Sequence, residues 1–125
     1  MNTNYNKHGY EKLYVYQKSF DLVLLIYKLT KKYPKEENFV MVPQLRRAVL
    51  SVLANIVEGY SKSSKKEFVR YLDISRGSLN EVELFIKVSY KLNYFARMEM
   101  EEIVSLIVEV KKLIYSFQKS LRRKM

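Results

Sequence analysis

The sequence predicts an all-α protein, an antiparallel up-down four-helix bundle. Three observations predict it. Apolar residues return every third or fourth position in four separate stretches. The 125 residues include only two prolines and three glycines, so little interrupts those stretches. The connections between them are short, which forces each helix to double back beside its predecessor. Hydrophobic residues make up 48% of the chain and charged residues 29%, values of a globular protein. We expect a single domain over residues 12–122, preceded by a flexible segment 1–11 and followed by a basic tail 123–125.

The first helix is predicted over 12–33, where Leu13, Tyr16, Phe20, Val23, Leu24 and Tyr27 form one stripe and Pro34 ends the pattern. The second runs over 43–58. Pro43 suits its first position, Leu45, Val49, Val52, Leu53 and Ile56 form its apolar face, and Gly59 supplies a left-handed closing residue. The third runs over 65–92 from a capping box, Ser64 to Glu67, with Phe68, Tyr71, Leu72, Ser75, Leu79, Val82, Ile86 and Ser89 inward. The fourth spans 98–122, with Ile103, Leu106, Ile107, Val110, Leu113, Ile114 and Phe117 inward. Glu99, Glu101 and Glu102 at its start and Lys119, Arg122 and Arg123 at its end complement the helix dipole.

The second helix carries another, polar stripe: Gln44, Arg47, Ser51, Asn55 and Glu58. Gly77 sits inside the third helix, where it costs about 1 kcal/mol relative to alanine. With Ser75 and Ser78 it makes a patch of small side chains that another backbone could approach. Antiparallel pairing about a Gly59–Ser63 turn sets Ala48 and Ser51 near Leu72 and Ser75, and Arg47 within reach of Asp73 or Glu81. A paired polar seam follows, within the bundle or between subunits.

Little in the chain suggests catalysis. There is no cysteine, which excludes disulfides and thiolate metal sites. The single histidine, His8, lies in the polar N-terminal segment, and no phosphate-binding glycine loop or HExxH pattern occurs. No cofactor is expected. Tyr16, Tyr27, Tyr71 and Tyr115 fall on or beside the apolar stripes and read as core or interface, whereas Tyr5, Tyr10, Tyr14 and Tyr60 could stack on bases. No apolar stretch is long enough for a membrane helix and the N-terminus is too polar for a signal peptide, so a soluble, cytoplasmic protein is expected. The formal net charge is +10, which favours a polyanionic partner, RNA or DNA first.

From Tyr10 onward the chain resembles the 23S rRNA intervening-sequence proteins, also called four-helix bundle proteins. The carrying stretches are LYVYQKSFDLVLLIYKLT (13–30), QLRRAVLSVLANIVEGYSKSSKKEF (44–68), ISRGSLNEVE (74–83) and KLNYF (91–95). The pattern falls on Gln44, Arg46, Arg47, Ala48, Ser51, Asn55, Ile56, Glu58, Gly59, Gly77, Ser78 and Glu81. Leu53 and Val57 stand where smaller residues are often found, and Asn93 stands where a glycine is usual. The resemblance implies a four-helix bundle that assembles as a homopentameric ring. More distantly similar are the accessory variability determinants of diversity-generating retroelements, which bind a reverse transcriptase and its template RNA. A signature without catalytic residue types suggests that Gln44, Arg46, Arg47, Ser51, Asn55, Glu58, Gly59, Gly77, Ser78 and Glu81 serve assembly.

The function this predicts is a non-enzymatic, oligomeric accessory protein that binds nucleic acid, RNA favoured. Its phosphate contacts would come from Lys62, Lys65, Lys66, Arg70, Lys111, Lys112, Arg122, Arg123 and Lys124. A second reading is a pentameric scaffold that recruits a protein such as a polymerase or reverse transcriptase. A helix-turn-helix over the second and third helices fails, because the third is too long and apolar-striped throughout.

Overall fold

A computed structural model describes residues 9–125; His8 and Tyr5 lie outside the described residues. The four helices are α1 (Tyr14–Thr30), α2 (Met41–Tyr60), α3 (Lys65–Lys91) and α4 (Arg97–Arg123). Short 3-10 turns at Gly9–Lys12 and Lys35–Glu37 precede α1 and α2, and no strand occurs among the described residues.

Helix α1 is shorter than the 12–33 predicted. Its start is delayed by the 3-10 turn, in which the Tyr10 carbonyl accepts from Leu13 N–H at 3.1 Å. Its end comes at Thr30, because the residue before Pro34 is pushed toward extended backbone and the helix must stop before it. Tyr33 leaves the helix and buries its ring against Tyr94 and Phe95, at centroid distances of 5.0 and 6.3 Å. The buried face also differs. It is Val15, Ser19, Leu22, Val23, Ile26 and Leu29, while Leu24 is 57% and Phe20 40% exposed. Helix α1 is apolar almost all round, so two stripes compete. The chosen one, with Ser19 fully buried, has smaller, branched side chains that let neighbouring helices come close, and the Tyr16 and Tyr27 rings pack at its margin.

Helix α2 starts two residues early. Pro43 thus sits in the third position, where its N–H would still lack an intrahelical partner. The helix continues through Gly59, which is helical, and no glycine of the described residues has positive φ. The predicted left-handed closure at Gly59 is therefore wrong. An added Cβ there would lie 2.7 Å from Phe68 Cδ1 and 2.8 Å from Tyr71 Cβ, so the glycine allows α2 and α3 to approach.

Helix α3 is capped by Ser64, whose hydroxyl accepts from Glu67 N–H at 3.1 Å. It closes on Asn93, which holds φ 64°. The Asn93 N–H donates to Tyr90 O at 2.9 Å and the Tyr94 N–H to Ser89 O at 3.1 Å, the paired bonds of a Schellman ending. Asparagine tolerates this left-handed backbone better than most residues. At the start of α4, Glu99 reaches back to accept from Ala96 N–H at 2.9 Å.

The helices pack in the cyclic order α1, α2, α3, α4, with α4 returning to α1 and the most extensive contact between α2 and α3. Leu22, Ile26, Leu45, Ile56, Leu72, Leu79, Ile86, Ile103, Ile107 and Ile114 are fully buried along the axis; each such side chain contributes roughly 1.5–3 kcal/mol. No helix among the described residues is long and apolar enough to cross a membrane.

Candidate functional site

Two features place the residues singled out in the sequence: the contact between α2 and α3, and one end of the molecule.

Small polar side chains line the first. Ser51 and Ser78 hydroxyls meet at 2.8 Å, Asn55 Nδ2 donates to Ser51 O at 2.8 Å and Oγ at 3.1 Å, and Ser75 Oγ donates to Val52 O at 2.7 Å. Each hydroxyl is satisfied without a charge, and the short side chains keep the helices close. The register differs from that predicted by about one turn. Ser51 meets Ser78, with Ser75 bonded to the adjacent Val52 carbonyl, because α2 runs past Gly59 to Tyr60 and lengthens the first arm of the hairpin.

The pairing expected for Arg47 is absent within the chain. Arg47 is exposed and shares a shallow recess with Gln44, Ala48, Ser51, Ser78 and Glu81, yet it forms no ion pair with Asp73 or Glu81. Asp73 instead accepts from Gln118 Nε2 at 2.7 Å and sits 3.7 Å from Arg76. Arg46 is the anchored one: its Nε donates to Thr30 Oγ1 at 2.9 Å and its guanidinium lies 4.5 Å from the centroid of the Tyr27 ring. Gly77 is exposed, with nothing within 4 Å of where a Cβ would lie. No helix of the same chain approaches it, so the close approach predicted there does not occur within the bundle.

The second feature is cationic. Gln118 is fully buried, and its Nε2 also donates to Val69 O at 3.1 Å. Phe117 meets Phe68 edge to face at 5.1 Å. These contacts set the last turns of α4 against the first turns of α3. Lys65, Lys66 and Arg70 therefore share one end of the molecule with Lys119, Arg122, Arg123 and Lys124, all exposed. Lys62 is beside them, held 3.1 Å from Glu58 and with its Nζ 5.2 Å from the Tyr71 ring centroid. The hydrogen bond to Glu58 raises the Lys62 pKa further above its ordinary value. Tyr60, whose ring packs on Tyr10 and Phe68 at 6.1 Å from each, adds a partly exposed aromatic to this end, and Tyr14 is exposed near it. Tyr115, read as core or interface, is 57% exposed and is not core.

Lys111 and Lys112 do not join this end. They lie along the middle of α4, where Lys111 donates to Glu83 at 2.7 Å and holds the Glu83 carboxyl below its usual range. The opposite end is balanced in charge. Lys32 pairs with Glu99, Arg97 lies 3.6 Å from Glu101, and Tyr94 donates to Glu37, which pushes the Tyr94 pKa up to about 12.

Sequence reasoning missed Gln118 and Arg46 as positioning residues. Gln118 follows Ile114 by four positions on the inward stripe, and a polar residue in that phase was the available signal. Among the described residues no cluster of three or more His, Cys, Asp or Glu could hold a metal ion. The chemistry the arrangement offers is multipoint contact with phosphates.

Comparison with known proteins agrees with the helical reading. The family model described as 23S rRNA-intervening sequence protein matches residues 11–116. No curated protein matches the chain. A solved structure from Bacteroides thetaiotaomicron, described as a protein with unknown function from the S23 ribosomal protein family, is 30% identical. It superposes with a TM-score of 0.77, over 84% of this chain and 98% of its own. With the family pattern spanning all four helices, the chain belongs to the 23S rRNA-intervening sequence protein family.

Proposed function

We propose that this protein is a non-enzymatic, oligomeric accessory protein of the cytoplasm that binds RNA through the cationic end of its bundle. The observation that carries this reading is the convergence of Lys65, Lys66 and Arg70 with Lys119, Arg122, Arg123 and Lys124. These cations come from separate parts of the chain and have no ion-pair partner among the described residues. Unpaired cations at one end can release the counterions condensed on a polyanion, which is the main drive for binding phosphate backbones.

The bundle is read as up-down-up-down. In support, contacts between neighbouring helices run in opposite numerical order: Ser51 with Ser78 but Val52 with Ser75, and Lys18 with Glu109 but Lys32 with Glu99. Homo-oligomerisation, as a pentamer, would multiply the cationic end and raise avidity.

A salt titration of binding to a structured RNA tests the proposal. Affinity should fall steeply with salt, by about 0.7–0.9 of a counterion for each phosphate contact. Replacing Arg122, Arg123 and Lys124 with glutamine should weaken binding without lowering helicity. Absence of binding at low salt would overturn the RNA reading. It would leave the scaffold reading, favoured by exposed apolar residues such as Ile74, Leu84 and Val88.

A further inference from the structure

We propose that Tyr115 is a stacking platform for an unpaired base, so that the RNA taken by this protein is single-stranded where it crosses α4. This rests on the proposed RNA binding and names the form of RNA that the surface accepts.

Tyr115 lies on the C-terminal half of α4, 57% exposed, and makes no ring contact among the described residues. An exposed tyrosine needs no explanation on its own; its setting here does. Lys112 precedes it by three positions, and Lys119 and Arg122 follow by four and seven, all exposed. With about 100° of rotation per helical residue, the four positions fall within about 80° of one another and form one outward line, about 15 Å long. None of the three cations has an ion-pair partner among the described residues. Lys111, one position off the line, is the one held by a carboxylate, Glu83 at 2.7 Å.

The carboxylates on either side are already engaged. Asp73 accepts from Gln118 and lies 3.7 Å from Arg76, and Glu109 pairs with Lys18 at 3.4 Å. On α3, Lys66, Arg70 and Asp73 line one recess. The bond from Gln118 to Asp73 sets that recess beside the α4 line, because Gln118 follows Tyr115 by three positions. Cations therefore stand before and after the ring on α4 and beside it on α3.

The other exposed tyrosines of this end lack that setting. Tyr60 is 41% exposed, but the Tyr10 and Phe68 rings pack on it at 6.1 Å each. Tyr14 is 72% exposed, but the cation one turn on, Lys18, is paired with Glu109. An open aromatic ring between unpaired cations suits a single strand: the cations follow its backbone and the ring receives a base. A duplex keeps its bases stacked inside and presents phosphates and groove edges, so the ring gains nothing from it.

The test measures binding of a short RNA without self-complementarity, alone and annealed to its complement, at low salt. Tyr115→Ala should weaken single-strand binding roughly 5- to 150-fold. It should leave duplex binding and the salt dependence unchanged, since no phosphate contact is lost. Tyr115→Phe keeps the ring and should bind as wild type does. The chain has no tryptophan, so Tyr115→Trp introduces a single reporter, whose emission should be quenched by the single strand and not by the duplex. Circular dichroism should show undiminished helicity, and Tyr115→Leu, with the same expectation, replaces the alanine variant if that loses helix. Single-strand affinity equal to wild type in the ringless variant, an equal loss on the duplex, or Tyr115→Trp emission unaltered at saturation would overturn the stacking proposal alone. Wild type that binds neither RNA would overturn it together with the RNA reading.

Discussion

Gly59→Ala should destabilise the fold, although it replaces a poor helix former with the best one. Gly59 is helical and buried, so alanine gains about 1 kcal/mol of intrinsic propensity. Against that, the new methyl would lie 2.7 Å from Phe68 Cδ1, 2.8 Å from Tyr71 Cβ and 3.2 Å from Phe68 Cε1. Carbon atoms pack favourably at roughly 3.5–4.0 Å, so relief needs a shift of about 1 Å. The Phe68 ring cannot simply swing away, being packed on Phe117 at 5.1 Å and Tyr60 at 6.1 Å. The Tyr71 Cβ is fixed to the α3 backbone, so α2 and α3 must part. Overpacking of this kind costs about 1–3 kcal/mol, leaving a net loss of about 1 kcal/mol once propensity is credited. A chain of this size should then melt about 4 °C lower. Urea titration followed by circular dichroism gives the same quantity, as a lower midpoint at unchanged slope. Stability equal to wild type or higher would refute the argument that Gly59 is kept for close helix approach.

Gln118→Leu should change stability by no more than about 1 kcal/mol, because leucine removes the stranded Oε1 acceptor but also the Nε2 hydrogen bonds to Val69 O and Asp73 Oδ1. Gln118→Ala, which opens a cavity instead, should lower it by about 2 kcal/mol; thermal melts of both variants check the pair. Lys111→Met should change the acid limb of the pH–stability profile. The hydrogen bond from Lys111 lowers the Glu83 pKa, so its stabilisation is present above the unfolded carboxylate value and is lost as pH falls through the depressed folded value. Melting temperatures of wild type and Lys111→Met should therefore converge in acid and separate toward neutrality. Arg47→Ala should leave helix content unchanged and the stability of the isolated protomer within about 0.5 kcal/mol, since no carboxylate pairs with Arg47 in the protomer. Its effect should appear in light scattering as weaker assembly.

The inward faces of α3 and α4 were legible because charged residues fall between most of their inward positions, although Ile74, Leu84 and Val88 form a second, exposed apolar line on α3. Helix α1 gave no such contrast. In LVLLIY (22–27) every position is apolar or aromatic, and only packing against α2 and α4 selects Leu22 and Ile26 over Leu24. The two helical glycines look alike in sequence. Phe68 and Tyr71, across the turn into α3, make Gly59 a point of close approach, while nothing approaches Gly77. Adjacent arginines were equally ambiguous: one position of rotation, about 100° on a helix, turns Arg46 toward Tyr27 and Arg47 outward. The cations of the candidate interface were visible one by one, but their gathering at one end depends on Gln118 and Phe117 docking α4 on α3. The serine contacts required the hairpin register, which shifts with any extra helical residue before the turn.

The serine-lined contact also implies an order of events when the chain folds. Ser75 reaches Val52 across only 23 positions, whereas Lys32 reaches Glu99 across 67. Closing the longer loop costs about 1 kcal/mol more of chain entropy, and ion pairs such as Lys18–Glu109, with side chains 39% and 47% exposed, return little of it. The α2–α3 hairpin is thus the natural nucleus, with short-range contacts and the most extensive packing, and the α1–α4 edge zips last. By the same reasoning that edge frays first in the folded molecule. Slowest amide exchange should fall in the middle of α2 and α3, and the fastest cooperative opening at the seam where the two terminal helices meet.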